Sequence, residues 1–308
     1  SLDIDSDSVA ATQSLWEKVG QPKNWTILNG SVLDLEFLSR LPKSDIVYSW
    51  GVLHHTGSMW DAIRNIGVAG TPDALFYIAL YSTEMYQNPS PEYWIDLKKQ
   101  YNAASPEEKE RMECDYAWKH ILEPIARKGE NPLYYILEYK KSRGMEMWTD
   151  VRDWLGGYPI EFTLASEVAQ FAAKEMGMDV LELFTGEGNT EYILQRKNAS
   201  NEWNKFIEQY EMIDINKSIE PHEGYAYKVA FPCFLDLADT LAAPRRSPLR
   251  VFEDGIFLGF AHTPLKPVVQ RGQGRFGHIG DYIYFSSSDQ SNPLDNGRKY
   301  EIRIPKNK

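Results

Sequence analysis

Along residues 1–81, short apolar runs alternate with stretches in which apolar positions recur every three to four residues. That pattern predicts strands alternating with amphipathic helices, and so a parallel sheet with helices on its faces. Residues 1–5 read as the tail of a strand. Ser6, Asp7 and Ser8 offer cap chemistry to a helix that carries Val9, Thr12, Trp16 and Val19 on one face and stops at Gly20. A second strand over residues 25–29 leads to Gly30, and a third over residues 45–50, rich in β-branched and alternating residues, ends at Gly51. A helix over residues 58–66 follows. After the break at Gly70 and Pro72, "DALFYIALY" suits a strand buried on both faces.

From Gln87 the pattern becomes charged and helical. Ser105, Pro106 and Glu108 form a capping box with proline at the first helical position, predicting a helix toward Glu123 that Pro124 bends or ends. This block, residues 86–162, interrupts the alternation and is expected as an insertion over one rim of the sheet. Alternation resumes at Thr163, where Val168, Phe171, Ala172 and Met176 line one helix face and Gly177 is the stop. "DVLELF", "TGEG" and "TEYILQR" then predict an antiparallel hairpin. Residues 198–248, with Pro244 and Pro248, read as a linker region. Residues 249–308, with "LRVFEDGIFLG" and "GDYIYFSSSD", read as a small all-β module. The expected fold class is therefore α/β over residues 1–197 with a helical insertion, plus a C-terminal β module.

Composition narrows the function. A formal net charge of -11 over 308 residues argues against a sequence-independent nucleic-acid binder. The longest apolar run, residues 74–81, falls far short of the roughly 20 residues that span a bilayer. Ser1 and Leu2 are followed by acidic residues, the wrong character for a signal peptide. Cys114 and Cys233 lack the spacing of a zinc site and are expected to be buried free thiols in a reducing, cytoplasmic setting.

Candidate chemistry clusters at strand ends. Asp3 stands where a nucleotide-binding α/β fold places a carboxylate for ribose hydroxyls, although caps and turns also use aspartate, as Asp5 and Asp7 are expected to do. Gly30, Ser31 and Val32 after the second strand, and Ser49, Trp50 and Gly51 after the third, break at the same rim. There Ser31 and Val32 could border an adenine ring, or could form an ordinary strand-to-helix turn.

Taken in order, "SLDIDSDSV", "ILNGSVLDL", "DIVYSWGVLHHTG" and "LFYIALY" resemble the successive strand-end segments of class I S-adenosylmethionine-dependent methyltransferases. "MDVLELFTGEGNTEYILQR" resembles the reversed edge strand that closes that fold. "MWTDVRDWLGGYPIEF" resembles a segment of bacterial small-molecule O-methylases. The resemblance covers residues 1–197 and implies a Rossmann-like methyltransferase sheet with S-adenosylmethionine as cofactor. It would place Asp3 at the ribose, Ser31 and Val32 at the adenine, and Ser49, Trp50 and Gly51 beside the methionine part, with Ile4 and Gly30 also in the cofactor site. One departure stands out: the family's first strand and glycine-rich loop should lie roughly twenty residues ahead of Asp3, and two residues precede it here. The expectation is an amino-terminal truncation that binds the cofactor poorly as it stands.

For the transfer, His54 or His55, just past the third strand, could take a proton from an acceptor hydroxyl, or could serve packing. A metal site is disfavoured there because adjacent residues at a strand end point in opposite directions. Trp148, Trp154 and Tyr158, with Arg152 and Asp153, could wall a pocket for a small-molecule or glycan acceptor, or pack a core. Gly156 and Gly157 predict a tight turn bringing Tyr158 and Glu161 near the rim. In the β module, Arg275, His278, Asp289 and Asn292, beside exposed-looking aromatics, suggest glycan contact or a plain structural appendage. An NAD-dependent oxidoreductase and a non-catalytic glycan-associated binding protein are the alternatives.

Overall fold

β1 (Leu2–Asp3) runs into α1 (Ser6–Lys18), whose N-cap is Asp5, with a carboxylate oxygen that accepts from the Ser8 amide at 2.8 Å. Gly20 follows the helix with φ +91°, a conformation that glycine adopts at no steric cost. β1 pairs parallel with β2 (Leu28–Asn29), so the strand expected over residues 25–29 is shorter than its pattern. Trp25 is drawn instead into a turn, its amide on the Pro22 carbonyl and its indole on Ser1 Oγ. α2 (Leu35–Arg40) is capped by Asp34. The computed structural model describes residues 1–185, 188–200 and 210–306. Gly186 and Glu187 of the predicted "TGEG" turn lie outside them.

A second sheet is built from β3 (Ser44–Trp50), β4 (Gly70–Leu80), β5 (Met178–Thr185) and β6 (Thr190–Arg196), in the order β3-β4-β6-β5. β3 and β4 are parallel, while β6 runs antiparallel to both β4 and β5. Phe76, Ile78 and Leu80 of β4 and Tyr192 and Leu194 of β6 alternate onto one fully buried side. Ala62 and Ile63 of α3 (Met59–Ile66) and Val168, Ala169 and Ala172 of α9 (Ala165–Glu175) are buried with them, and Trp60 meets Phe171 at 4.8 Å. Each buried Val, Leu, Ile or Phe among these contributes about 1.5–3 kcal/mol by leaving water. On the opposite side of β3, Ile46 and Tyr48 are 66% and 67% exposed. The first three strands were expected to form a single rim, but β1–β2 and β3 lie in different sheets. Among the described residues, β1 pairs only with β2 and β3 only with β4.

Residues 210–306 form two four-stranded antiparallel sheets. One has the order β11-β10-β14-β7, from β7 (Tyr210–Asp214), β10 (Arg250–Glu253), β11 (Ile256–Phe257) and β14 (Tyr300–Pro305). The other has the order β12-β13-β9-β8, from β8 (Glu220–Pro221), β9 (Tyr227–Ala230), β12 (Phe276–Ile279) and β13 (Tyr282–Phe285), with α10 (Leu265–Arg271) preceding β12. Much of the segment expected as a linker is therefore sheet: β7 pairs with β14 and β9 with β13, through registers such as Ile213 opposite Ile302. Isolated short strands carry too weak a period to be seen without their partners. Arg275 and His278, grouped with exposed-looking aromatics, are buried at 3% and 2% exposure, with the Arg275 guanidinium stacked 4.8 Å from the Phe260 ring.

The helices α4 (Pro91–Ala103), α5 (Pro106–Tyr116), α6 (Glu123–Arg127), α7 (Pro132–Arg143) and α8 (Met147–Gly156) belong to a separate compact unit, residues 54–59 and 83–162. Its core is Tyr101, Ala117, Tyr139, Met147, Val151 and Leu155. The capping box at Ser105 forms as expected, with the Glu108 amide on Ser105 Oγ and the Ser105 amide on the Glu108 carboxylate. Pro124 ends nothing. The chain continues from α5 through a π-helical turn, Ala117–Leu122, and Pro124 falls in the first turn of α6, where a missing N–H is tolerated. Cys114 and Cys233, expected to be buried, are both exposed. No helix among the described residues is long and apolar enough to cross a membrane.

Candidate functional site

The strand ends of the first unit arrange backbone more than side chains. The Asp3 carbonyl accepts from the Gly30 amide at 2.9 Å, so the two residues stand side by side across β1 and β2. Asp3 is exposed, and its Oδ1 accepts from the Asp5 amide at 3.0 Å. Ile4 is 71% exposed, with its carbonyl held by Asn29 Nδ2. A Cβ at Gly30 would stand 2.5 Å from the Phe37 ring, so this glycine is demanded by packing. Ser31 Oγ accepts from the Leu33 amide, and the Val32 carbonyl from Asn65 Nδ2 at 3.1 Å, which makes the segment a stapled turn.

At the end of β3, Ser49 pairs with Ile78 inside the sheet, and Gly51 turns the chain at φ +75° with nothing within 4 Å of where a Cβ would stand. Trp50 donates its indole N–H to Glu191 at 3.1 Å, and Glu191 also accepts from the Tyr77 hydroxyl. That bond, with some burial, pushes Tyr77 up to about 12. Asp3, Ile4 and Gly30 are thus brought together on one sheet, and Ser49, Trp50 and Gly51 on another.

In the helical unit, His54 and His55 occupy a 3₁₀ turn, Leu53–His55, with ring centroids 4.4 Å apart. They do not point in opposite directions as strand residues would, because a turn of three residues spaces neighbours by about a third of a circle. His55 Nδ1 lies 2.8 Å from the Pro159 carbonyl. A carbonyl only accepts, so Nδ1 carries the proton and Nε2 keeps its lone pair. Burial pushes His55 below its ordinary value, opposed by the Pro159 bond, and keeps the ring neutral. His54 is fully buried, and desolvation drives it down to about 2. The His54 carbonyl accepts from the Glu161 amide at 2.9 Å, and Glu161 Oε2 accepts from the Met59 amide at 2.8 Å, closing a loop around the pair.

Lys98 of α4 completes this cluster. It is 1% exposed, its Nζ lies 3.9 Å from the centroid of the Trp154 ring, and it donates to the Trp154 carbonyl. Burial lowers it to about 7, with Asp153 pulling the other way. A Cβ at Gly157 would stand 3.1 Å from His55 Cε1 and 3.5 Å from Lys98 Nζ, so the "GG" turn is what lets these groups close up. Trp154 also stacks on Tyr86 at 5.8 Å and meets Trp94 edge-on at 5.4 Å. Trp148 and Trp154 both pack against the helical core, and Tyr158 is 42% exposed. Of the predicted acceptor wall, Trp154 meets the cluster through Lys98, and Asp153 acts electrostatically on both His55 and Lys98.

Lys98 and Glu191 escaped the sequence reading. Lys98 had left a signal, since Trp94, Leu97, Lys98 and Tyr101 sit at i, i+3, i+4 and i+7, which places a lysine on the apolar stripe of a helix. No group of three metal-ligating side chains occurs among the described residues.

No protein-family model matches this chain, and no curated protein does. Among solved structures it is similar to PKMT2 from Rickettsia typhi in complex with AdoHcy, at 10% identity and a TM-score of 0.45, over 71% of this chain and 48% of that one. It is similar also to an O-methyltransferase family protein from Burkholderia thailandensis, at 11% identity and a TM-score of 0.36, over 63% and 42%. A third is the O-methyltransferase NcsB1 from neocarzinostatin biosynthesis, in complex with S-adenosylmethionine and 2-hydroxy-5-methyl naphthoic acid, at 12% identity and a TM-score of 0.35, over 63% and 40%. The chain spans less than half the length of each of these structures.

Proposed function

We propose that this chain supplies the cofactor-facing sheet and an acceptor-binding helical unit of an S-adenosylmethionine-dependent methyltransferase acting at an oxygen of a small molecule or glycan. The observation that carries this is the sheet order. β6, the last of these strands in sequence, runs against both β4 and β5, the reversal that the family resemblance implies, although it lies between them and β5, not β6, is the edge strand. Asp3 beside the Gly30 amide fits the ribose position: one carboxylate oxygen holds the turn and the other is open to sugar hydroxyls. Gly51, with open space around its Cα, leaves the end of β3 approachable.

Bound there, S-adenosylmethionine would supply an electrophilic methyl group. His55 is the proposed base, since the Pro159 carbonyl fixes its tautomer with the proton on Nδ1 and burial favours the neutral form of its ring. His54, buried and adjacent, is assigned to orienting that ring, and Trp154 to walling the acceptor.

The test is calorimetric titration with S-adenosylhomocysteine, and with NAD as the rival ligand, of this chain and of any longer polypeptide containing it. Asp3→Ala should weaken S-adenosylhomocysteine binding by about 1.5–3 kcal/mol, the scale for a charged hydrogen bond. An unchanged dissociation constant reduces Asp3 to a turn residue, and binding of NAD alone overturns the assignment.

A further inference from the structure

A cleft of about 230 Å³ opens between α9 and the β10–β11 hairpin, and none of its residues belongs to the candidate site. Ser166, Gln170 and Lys174 follow one another at four-residue spacing along α9, so they form a single polar stripe down one wall. The apolar residues of the same helix, Val168, Ala169 and Ala172, face the other way into the core. Across the cleft stand Glu253 and Asp254 at the end of β10, together with Arg298, while Ile256 and Phe257 supply an apolar surface.

This wall is built rather than incidental. Glu253, 7% exposed, accepts from the Tyr300 hydroxyl at 2.6 Å and the Ser288 amide at 3.3 Å and pairs with Arg298 at 3.1 Å. Arg298 is fixed in turn by Asp289 at 2.5 Å. Asp254, at φ +50°, is held by the Lys299 amide at 2.8 Å. Ser166 is 5% exposed, so its small accessible remainder faces this space.

The charges decide what fits. Glu253 and Asp254 balance the positive charges of Lys174 and Arg298, so the lining carries no net charge and gives neither an anion nor a cation a net attraction. A neutral ligand loses nothing by lacking a charge. It finds donors in Lys174 and Gln170, acceptors in Asp254 and Gln170, a hydroxyl in Ser166, and one apolar face. The space far exceeds the roughly 10–15 Å³ that admits one water, so it has room for a small ligand with several polar groups, such as a single six-membered polyol ring. We propose that this cleft binds a neutral, polyhydroxylated ring of monosaccharide size, independently of methyl transfer.

Saturation-transfer NMR and calorimetry on the intact chain test this with glucose, N-acetylglucosamine and myo-inositol as probes, and glucuronate and glucosamine as charged controls. At least one neutral probe should bind with a dissociation constant on the order of 1 mM. Gln170→Ala and Lys174→Ala, both at solvent-reached positions, should each weaken it about 10-fold, and Asp254→Asn less, with unfolding midpoints unchanged. Three outcomes overturn the proposal: no neutral probe binding at about 100 mM, the charged controls binding better than the neutral ones, or binding indifferent to the α9 variants. None of them bears on S-adenosylhomocysteine binding, so the two proposals fail separately.

Discussion

Glu253 in the β module and Lys98 in the helical unit are both ionisable side chains removed from water, at 7% and 1% exposure, yet their surroundings differ. Glu253 is met by the Tyr300 hydroxyl, the Ser288 amide and hydroxyl, and the Arg298 guanidinium, so its burial is compensated group by group. The network perturbs its members as paired charges do: Arg298 holds Asp289 well below the usual carboxylate range, and burial with the Glu253 bond pushes Tyr300 upward. Lys98 has one carbonyl, one indole face and the field of Asp153, and burial outweighs them and takes its proton near neutrality. The first arrangement holds a fold together. The second stores a destabilised charge beside two neutral histidines, as sites that move protons or bind ligands do.

The largest effect expected from breaking this contrast is at Glu253. Glu253→Ala removes the shared acceptor of the Tyr300 hydroxyl and the Ser288 amide and leaves Arg298 with Asp289 alone, and should cost about 3 kcal/mol in chemical denaturation. A loss below about 1 kcal/mol would show that the network is no better than a surface pair. Lys98→Met should act in the opposite direction. A lysine whose folded pKa lies near 7 binds fewer protons in the fold than unfolded, so it destabilises fully below pH 7, and the penalty fades as pH rises toward its ordinary value of 10.5. The variant should therefore be more stable at about pH 6, by roughly 3 kcal/mol, and its stability should rise less steeply across the alkaline range. Equal stability curves for the two proteins would mean that Lys98 keeps its proton.

His54 sharpens the comparison at acid pH. Its folded pKa is depressed below 6.5, so the unfolded chain takes up the proton first and stability falls as pH drops. His54→Leu should lose about 2 kcal/mol less between pH 6.5 and about 5, read from urea midpoints. An identical acid limb would assign that sensitivity elsewhere. The smallest effect belongs to Tyr300→Phe, which removes one bond to Glu253 and one from Asn296 Nδ2 and should cost about 1–2 kcal/mol. A neutral result would leave Ser288 and Arg298 as sufficient partners.

Elements with strong local signals were legible in advance. The Ser105 capping box, the apolar face of α9 and the hairpin of β5 and β6 all follow from neighbours in the chain. Short strands such as β7 and β9 were not, because two to five residues carry no usable period and their identity comes from β14 and β13. In the site, His54 and His55 were visible as a pair, but their 3₁₀ turn, the tautomer set by Pro159 and the approach of Lys98 depend on residues up to 104 positions away. Both Trp148 and Trp154 pack against the helical core, and it is the approach of Lys98 from α4 that ties Trp154 to the cluster.

Sequence alone determined the alternation of strands and helices, the caps that start them and the chemistry available at each strand end, since these rest on dihedral preference and period. Tertiary structure decided which polar groups are stripped of water and which are paired. Desolvation and pairing belong to a surrounding shell, and that shell is assembled from segments far apart in the chain.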